Sequence, residues 1–234
     1  MRVRLSLALD RKAFVDIITQ GKGDIGGVML PAPEGIWGMP PELLQTLPGY
    51  GQDIQKNRFE ARQIMQKLGY GSDHKHPVTV STRKVPAYPD LAVILISQLN
   101  ELYMDATLDP VYTVNWYPKV LRKDYIVGLN ITESALDDPD QQFYENSVCG
   151  ADRNYPGYCN SEVDKLVDEQ SAEPNIDKRK TLVWEIEKRL VEDGARPVIF
   201  YPRGATCRYP QVKGLTRHGQ QHLQRLAFRG RLAR

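Results

Sequence analysis

The residues most able to do chemistry stand close together in the middle of the chain. Asn130, Thr132, Glu133 and Ser134 are followed almost at once by Asp137, Asp138 and Asp140. Such a run can hydrogen-bond a hydroxyl-rich or charged solute, and Glu133 with Asp137 or Asp138 could form the acid–base pair of a hydrolase. The plainer reading of the three aspartates is a turn that also caps a helix starting near Gln141. Cys149 and Cys159 flank a ring of Arg153, Asn154, Tyr155, Pro156, Gly157 and Tyr158. Spacing and loop context favour a disulfide, worth roughly 2 to 3 kcal/mol on the chain-entropy model and implying an oxidising compartment; the alternative is two reduced thiols. A tethered loop carrying Asn154 and Tyr155 loses little entropy when it grips a ligand, although it can equally be plain surface. Trp37 has the same two readings, an anchor for its loop or a flat face for ligand stacking.

Other reactive residues point to less. His74 and His76 have the spacing of a metal pair, but they sit among Gly, Ser, Asp and Lys with no third ligand in view, so a solvated turn is expected. Cys207 is left unpaired and is expected beside the strand at Tyr201. A thiol enzyme would need a base near it, and only His218 and His222 are close in sequence.

The elements that must position these groups are legible from pattern. A helix before Gln20 is expected with Asp10 as cap and Ala13, Phe14, Ile17 and Ile18 on its buried face. The segment 21–51, rich in Gly and Pro with Met29, Leu30, Ile36, Trp37 and Met39 interleaved, reads as a long ordered loop packed on the domain. A helix over 57–68 takes Asn57 as cap and Gly69 as stop. From Pro77 the order is strand (78–82), helix (90–103), strand (106–111), short helix (115–122) and strand (125–131). That alternation predicts parallel neighbours joined by right-handed crossovers, hence an open α/β sheet with helices on both faces. Ligands gather outside the carboxyl ends of such strands, which is where Asn130 to Asp140 fall. After the ring, a helix with Ser161 as cap and a second over 177–193, its Glu185 placed to pair with Arg189, lead to Gly194 and an apolar strand at 197–201.

Bulk properties narrow the class. The chain has 234 residues and a formal charge of +2, enough to bury a core and no basis for a nucleic-acid or membrane-surface partner. No apolar run has the length of a membrane span, and the first residues lack the apolar core and cleavage site of a signal peptide. Thr216 to Arg234 has five arginines, two histidines and no acid. A disordered or altered terminus is expected there in preference to a nucleic-acid or lipid-binding tail.

Several words in order resemble one family. They are Ala8-Leu9-Asp10-Arg11 leading to Gly21-Lys22-Gly23, Pro31 and Trp37; Ala61-Arg62 through Leu68-Gly69-Tyr70; Tyr158-Cys159-Asn160-Ser161-Glu162-Val163-Asp164-Lys165-Leu166; Lys178-Arg179-Lys180 into Trp184-Glu185-Ile186-Glu187; and Glu192-Asp193-Gly194-Ala195-Arg196-Pro197. From about Val3 to Leu215 the chain resembles the C-terminal lobe of the extracellular solute-binding proteins of family 5, the ABC-transporter receptors for peptides, nickel complexes and some oligosaccharides. The resemblance implies one lobe of a type II periplasmic-binding-protein fold over 1–203, then a hinge-return segment and basic tail over 204–234. It implies a periplasmic receptor without catalysis or cofactor. Such a receptor closes on a peptide or similar small solute between two lobes and delivers it to a membrane permease; the N-terminal lobe is absent from this chain. Peptide-binding relatives carry Trp-x-x-Asp-Tyr after the third strand, then Asp-Pro. Asp138-Pro139 matches, whereas Asn130-Ile131-Thr132-Glu133 replaces the first word. Glu133 then stands in for the acid that meets a peptide amine, or the polar run suits a small sugar.

Overall fold

The computed structural model describes residues 6–51, 53–132, 136–203, 207 and 209–211. Glu133, Ser134, residues 204–206 and 208, and the segment 212–234 lie outside the described residues, so the expectations placed on them are not addressed below.

In chain order the elements are α1 (Arg11–Thr19), β1 (Gly23–Asp24), α2 (Pro41–Leu44), α3 (Ile54–Lys67), β2 (His76–Arg83), α4 (Pro89–Asn100), β3 (Met104–Val111), α5 (Thr113–Leu121), β4 (Val127–Leu129), α6 (Pro139–Asn146), α7 (Ser161–Ala172), α8 (Ile176–Glu192) and β5 (Tyr201–Pro202). The main sheet has three strands in the order β3-β2-β4, and both pairings are parallel. The alternation of strands and helices dictates this, because a helix-length crossover returns the chain to start each strand from the same end.

Side-chain alternation along β2 divides the sheet faces. Val78 and Val80, with Met104, Ala106 and Leu129, pack under Leu91, Ala92, Leu95 and Leu99 of α4, Phe14 of α1 and Met65 of α3. On the opposite face Ser81 donates to Asp109 at 2.8 Å, and Lys119 of α5 reaches the same carboxylate at 3.5 Å. Helices thus cover both faces. A second core joins Phe143, Val163, Val167, Val183, Ile186 and Leu190 of the later helices, with Tyr158 of the ring, to Val28, Met29 and Trp37 of the long loop. That loop is ordered and packed, as its interleaved apolar residues predict.

Several local expectations are corrected. The cap of α3 is Asp53, whose side chain accepts from the Lys56 N–H, and Asn57 lies inside the helix. Asn160, not Ser161, caps α7. The expected strand at 197–201 is extended but half-buried, and only Tyr201 and Pro202 pair, antiparallel with Asp24 and Gly23. The Val198 carbonyl accepts from Arg11 Nε at 2.8 Å in place of a strand partner. Ile199 and Phe200 bury their apolar surface against the first core. Cys207 is exposed, not buried beside Tyr201.

Candidate functional site

The carboxyl ends of the three parallel strands form a rim. Register sets Arg83 beside Val111 and Thr82 beside Leu129, so Asn130 follows next to Arg83. Thr82 Oγ1 donates to the Leu129 carbonyl at 3.0 Å and ties the strand ends together. Ile131 and Thr132 are exposed on this edge, as are Leu136 and Asp137. Asn130 is half-buried, and its Oδ1 has no partner among the described residues.

Two cations end β2, and sequence reasoning did not single them out. The Arg83 guanidinium lies 5.5 Å from the Tyr88 ring and 5.7 Å from the Tyr117 ring. Its hydrogen bonds are long, 3.4 Å to Tyr88 Oη and 3.5 Å to Thr113 Oγ1, and its buried Nε is unpartnered. Lys84 sits over the Tyr112 ring at 4.7 Å and donates to its hydroxyl at 3.2 Å. Neither cation has a carboxylate partner among the described residues.

The helices after β2 and β3 begin at this same edge. Their N-cap residues, Tyr88 and Tyr112, make no side-chain capping hydrogen bond. The N-terminal ends of these helices add positive potential to that of the two cations. Trp116, in the first turn of α5, is fully buried with its indole N–H unpartnered. Side chains on a helix lean toward its N-terminus, here toward the rim. The edge therefore offers donors and positive charge with few acceptors, an environment suited to a carboxylate or other oxyanion. The sequence signal was the Ser-Thr-Arg-Lys ending of the first parallel strand, legible only once attention turns to the carboxyl edge of the sheet.

The predicted site residues divide between two places. Trp37 and Asp137 come together at the rim: Trp37 Nε1 donates to the Asp137 carbonyl at 2.9 Å. Trp37 is 5 % exposed, its carbonyl accepts from Trp184 Nε1 at 3.0 Å, and Arg179 stacks on its ring at 4.8 Å. The ring thus anchors its loop, the first of its two readings. What burial Asp137 has raises its carboxyl above the ordinary range, against a hydrogen bond from the Ile36 N–H that lowers it. Asp138 caps α6 through the Asp140 N–H at 2.9 Å and receives both arms of Arg179 at 2.9 and 3.1 Å. Asp138 and Asp140 are thus structural, which removes Asp138 from the hydrolase pair. Asp137 has its own hydrogen bond from Ile36 and Glu133 lies outside the described residues, so no paired-carboxylate site is defined.

Asn154 and Tyr155 lie elsewhere. Cys149 and Cys159 are bonded, with Cα atoms 4.5 Å apart. Inside the ring Asn154 is buried and serves the loop itself, donating to the Val148 and Tyr158 carbonyls and accepting from the Tyr158 N–H. Tyr155 is half-buried under Arg196, 5.9 Å from its ring. The ring packs where Gly157 meets the Lys123 side chain, and Arg196 is shared by the fields of Tyr125 and Tyr155. The ring therefore packs against the turn that precedes β4.

His74 and His76 flank Tyr70, with ring centroids 5.5 and 4.7 Å away. No cluster of three metal-ligating side chains occurs among the described residues.

No family model matches the chain. Among curated proteins it is 24% identical over 220 residues to the probable D,D-dipeptide-binding periplasmic protein DdpA of Escherichia coli, covering 92% of this chain and 40% of that protein. Among solved structures it superposes on OppA of Burkholderia pseudomallei with a TM-score of 0.78 at 20% identity, covering 94% of this chain and 43% of the other. The oligopeptide-binding protein AppA of Bacillus subtilis, solved with a nonapeptide, gives 0.73 at 20% identity over 96% and 45%. NikA of Staphylococcus aureus, solved with a nickel–histidine complex, gives 0.71 at 16% over 94% and 45%. Fold and sequence match agree on one class, the extracellular solute-binding proteins of family 5. The chain spans about two fifths of the curated relative's length.

Proposed function

We propose that the chain is the C-terminal lobe of an ABC-importer receptor that captures a carboxylate-bearing solute, a short peptide or similar molecule, between two lobes in the periplasm. The full receptor closes about a hinge and hands the solute to a membrane permease, with no bond made or broken. One observation carries the reading. At the carboxyl edge of the parallel sheet Arg83 and Lys84 stand among Tyr88, Tyr112 and Tyr117, with no carboxylate to neutralise them among the described residues. Asn130 and Thr132 on the neighbouring strand end, with Asp137, complete the proposed contact surface. Apolar Ile36 and Leu136, 50% and 62% exposed, border it and suit the apolar part of such a solute. Support for the compartment comes from the Cys149–Cys159 bond and from the periplasmic relative. Among the described residues no helix is long and apolar enough to cross a membrane.

Titration calorimetry with dipeptides, their C-terminal amides and free carboxylates tests the reading. A single lobe supplies about half the contacts, so millimolar to high-micromolar binding of the carboxylates is expected. Arg83→Ala should weaken it about 10- to 100-fold, the value of one charge-assisted contact. Equal binding of acids and amides refutes the anion site. Sub-micromolar affinity of this chain alone refutes the one-lobe reading.

A further inference from the structure

Glu187 is the one acidic residue among the described residues that is completely buried. It stands on α8 and points into the loop between β1 and α2. Its Oε1 accepts from the Met29 N–H at 2.6 Å and its Oε2 from the Met39 N–H at 3.1 Å, with a further backbone contact at Val28. The two oxygens thus bracket the segment that carries Ile36 and Trp37 to the rim. Gly27 leaves the room: a Cβ there would come within 2.7 Å of Oε1. From the other side Tyr201 of β5 donates to the Gly27 and Val28 carbonyls at 2.9 and 2.8 Å. Trp37 then reaches the Asp137 carbonyl. A continuous line of hydrogen bonds runs from β5 and α8 through the loop to the rim.

We infer that Glu187 is a positioning residue whose buried carboxyl clamps the 28–39 loop and, through Trp37, sets the Asp137 side of the rim, so that the order of the rim follows the protonation of this one group. The titratable groups facing it are the phenols of Tyr50 and Tyr201, both raised by burial and further by the Glu187 charge. Behind them stand Arg11, 3.9 Å over the Tyr50 ring, and Arg196, whose field reaches Tyr201. On its own helix Lys188 is exposed and Arg189 is paired with Glu185. The clamping loop contributes backbone N–H groups, and no cation forms an ion pair with Glu187 among the described residues. Burial raises its pKa to about 8 from 4.5, against the three backbone hydrogen bonds that lower it. The folded loop therefore holds the proton longer than an opened loop does, and opening becomes easier as pH rises from about 4.5 toward 8.

Hydrogen exchange of the 28–39 amides, normalised to intrinsic rates and compared with α4 as internal reference, tests this without any solute. Between pH 6 and 8 loop protection should fall at least about tenfold more than that of α4. In Glu187→Gln, which cannot ionise, loop protection should start lower and stay level across that range. A wild-type loop that tracks α4 overturns the inference even if the variant fails to fold, and so does the same fall in Glu187→Gln. The consequence for capture rests on the solute-binding reading, whereas the latch does not. Failure of the dipeptide titrations would remove the first and leave the exchange result standing.

Discussion

Replacing Arg179 with Met should unfasten the joint between the rim and the later helices. The Arg179 side chain is 16% exposed and has five contacts: two to Asp138 at 2.9 and 3.1 Å, one to Asp140 at 3.2 Å, one to Gln170 Oε1 at 3.0 Å, and the Trp37 ring at 4.8 Å. Breaking a fully buried pair on one side costs about 3–5 kcal/mol because the other charge is stranded. Here Asp138 and Asp140 are 38% and 39% exposed, so water recovers part of that. Asp140 also keeps Ser171 and Gln170, and Asp138 keeps its cap. A loss of about 2–3 kcal/mol is expected for Arg179→Met, and about half of that for Arg179→Lys, which restores charge but not the two-armed geometry. At this chain length the Met variant should melt roughly 5–10 °C lower. Thermal unfolding by circular dichroism measures this, with Trp fluorescence reporting the release of the Trp37 ring. A melting point unchanged within about 2 °C would refute the claim that this arginine fastens Trp37, α6, α7 and α8 together.

Cys149→Ser with Cys159→Ser should cost roughly 2–3 kcal/mol through the freed ring, read in urea unfolding with an unchanged slope. Rim hydrogen bonds should be untouched, since none of those described involves the ring. Gly49 has φ +83°, and a Cβ there would come within 2.3 Å of the Ser6 carbonyl oxygen. Gly49→Ala should therefore destabilise by more than about 1 kcal/mol, measured by the same unfolding curves. A neutral result would mean that the backbone here moves aside at no cost. Together with Arg83→Ala and Glu187→Gln, these variants separate groups that hold the fold from groups at the proposed site.

Much of the fold was written in local pattern. Two-residue and helical apolar periodicity located β2, β3, α4 and α8, and Asp10 and the Glu185–Arg189 pair were identified directly, because each depends on neighbours within one turn. The Cys149–Cys159 bond followed from spacing. The strand at 197–201 misled because a run of apolar residues states that surface is buried, not what it is buried against. There the Val198 carbonyl found Arg11.

The alternation of strand and helix determined that the sheet is parallel and that its carboxyl edge is the place to look, since crossovers of fixed hand leave few arrangements. Only the tertiary structure decided which side chains reach that edge. Asn154 turned into its own ring, Tyr155 went beneath Arg196, Trp37 turned inward beneath Arg179, and Arg83 and Lys84 took the rim with their tyrosines. Glu187 gave no local sign at all: a glutamate on an amphipathic helix reads as solvated until a loop about 150 residues away folds its N–H groups onto it. Periodicity is a short-range property of the chain, whereas desolvation and hydrogen-bond partnership are set by segments that meet only in space.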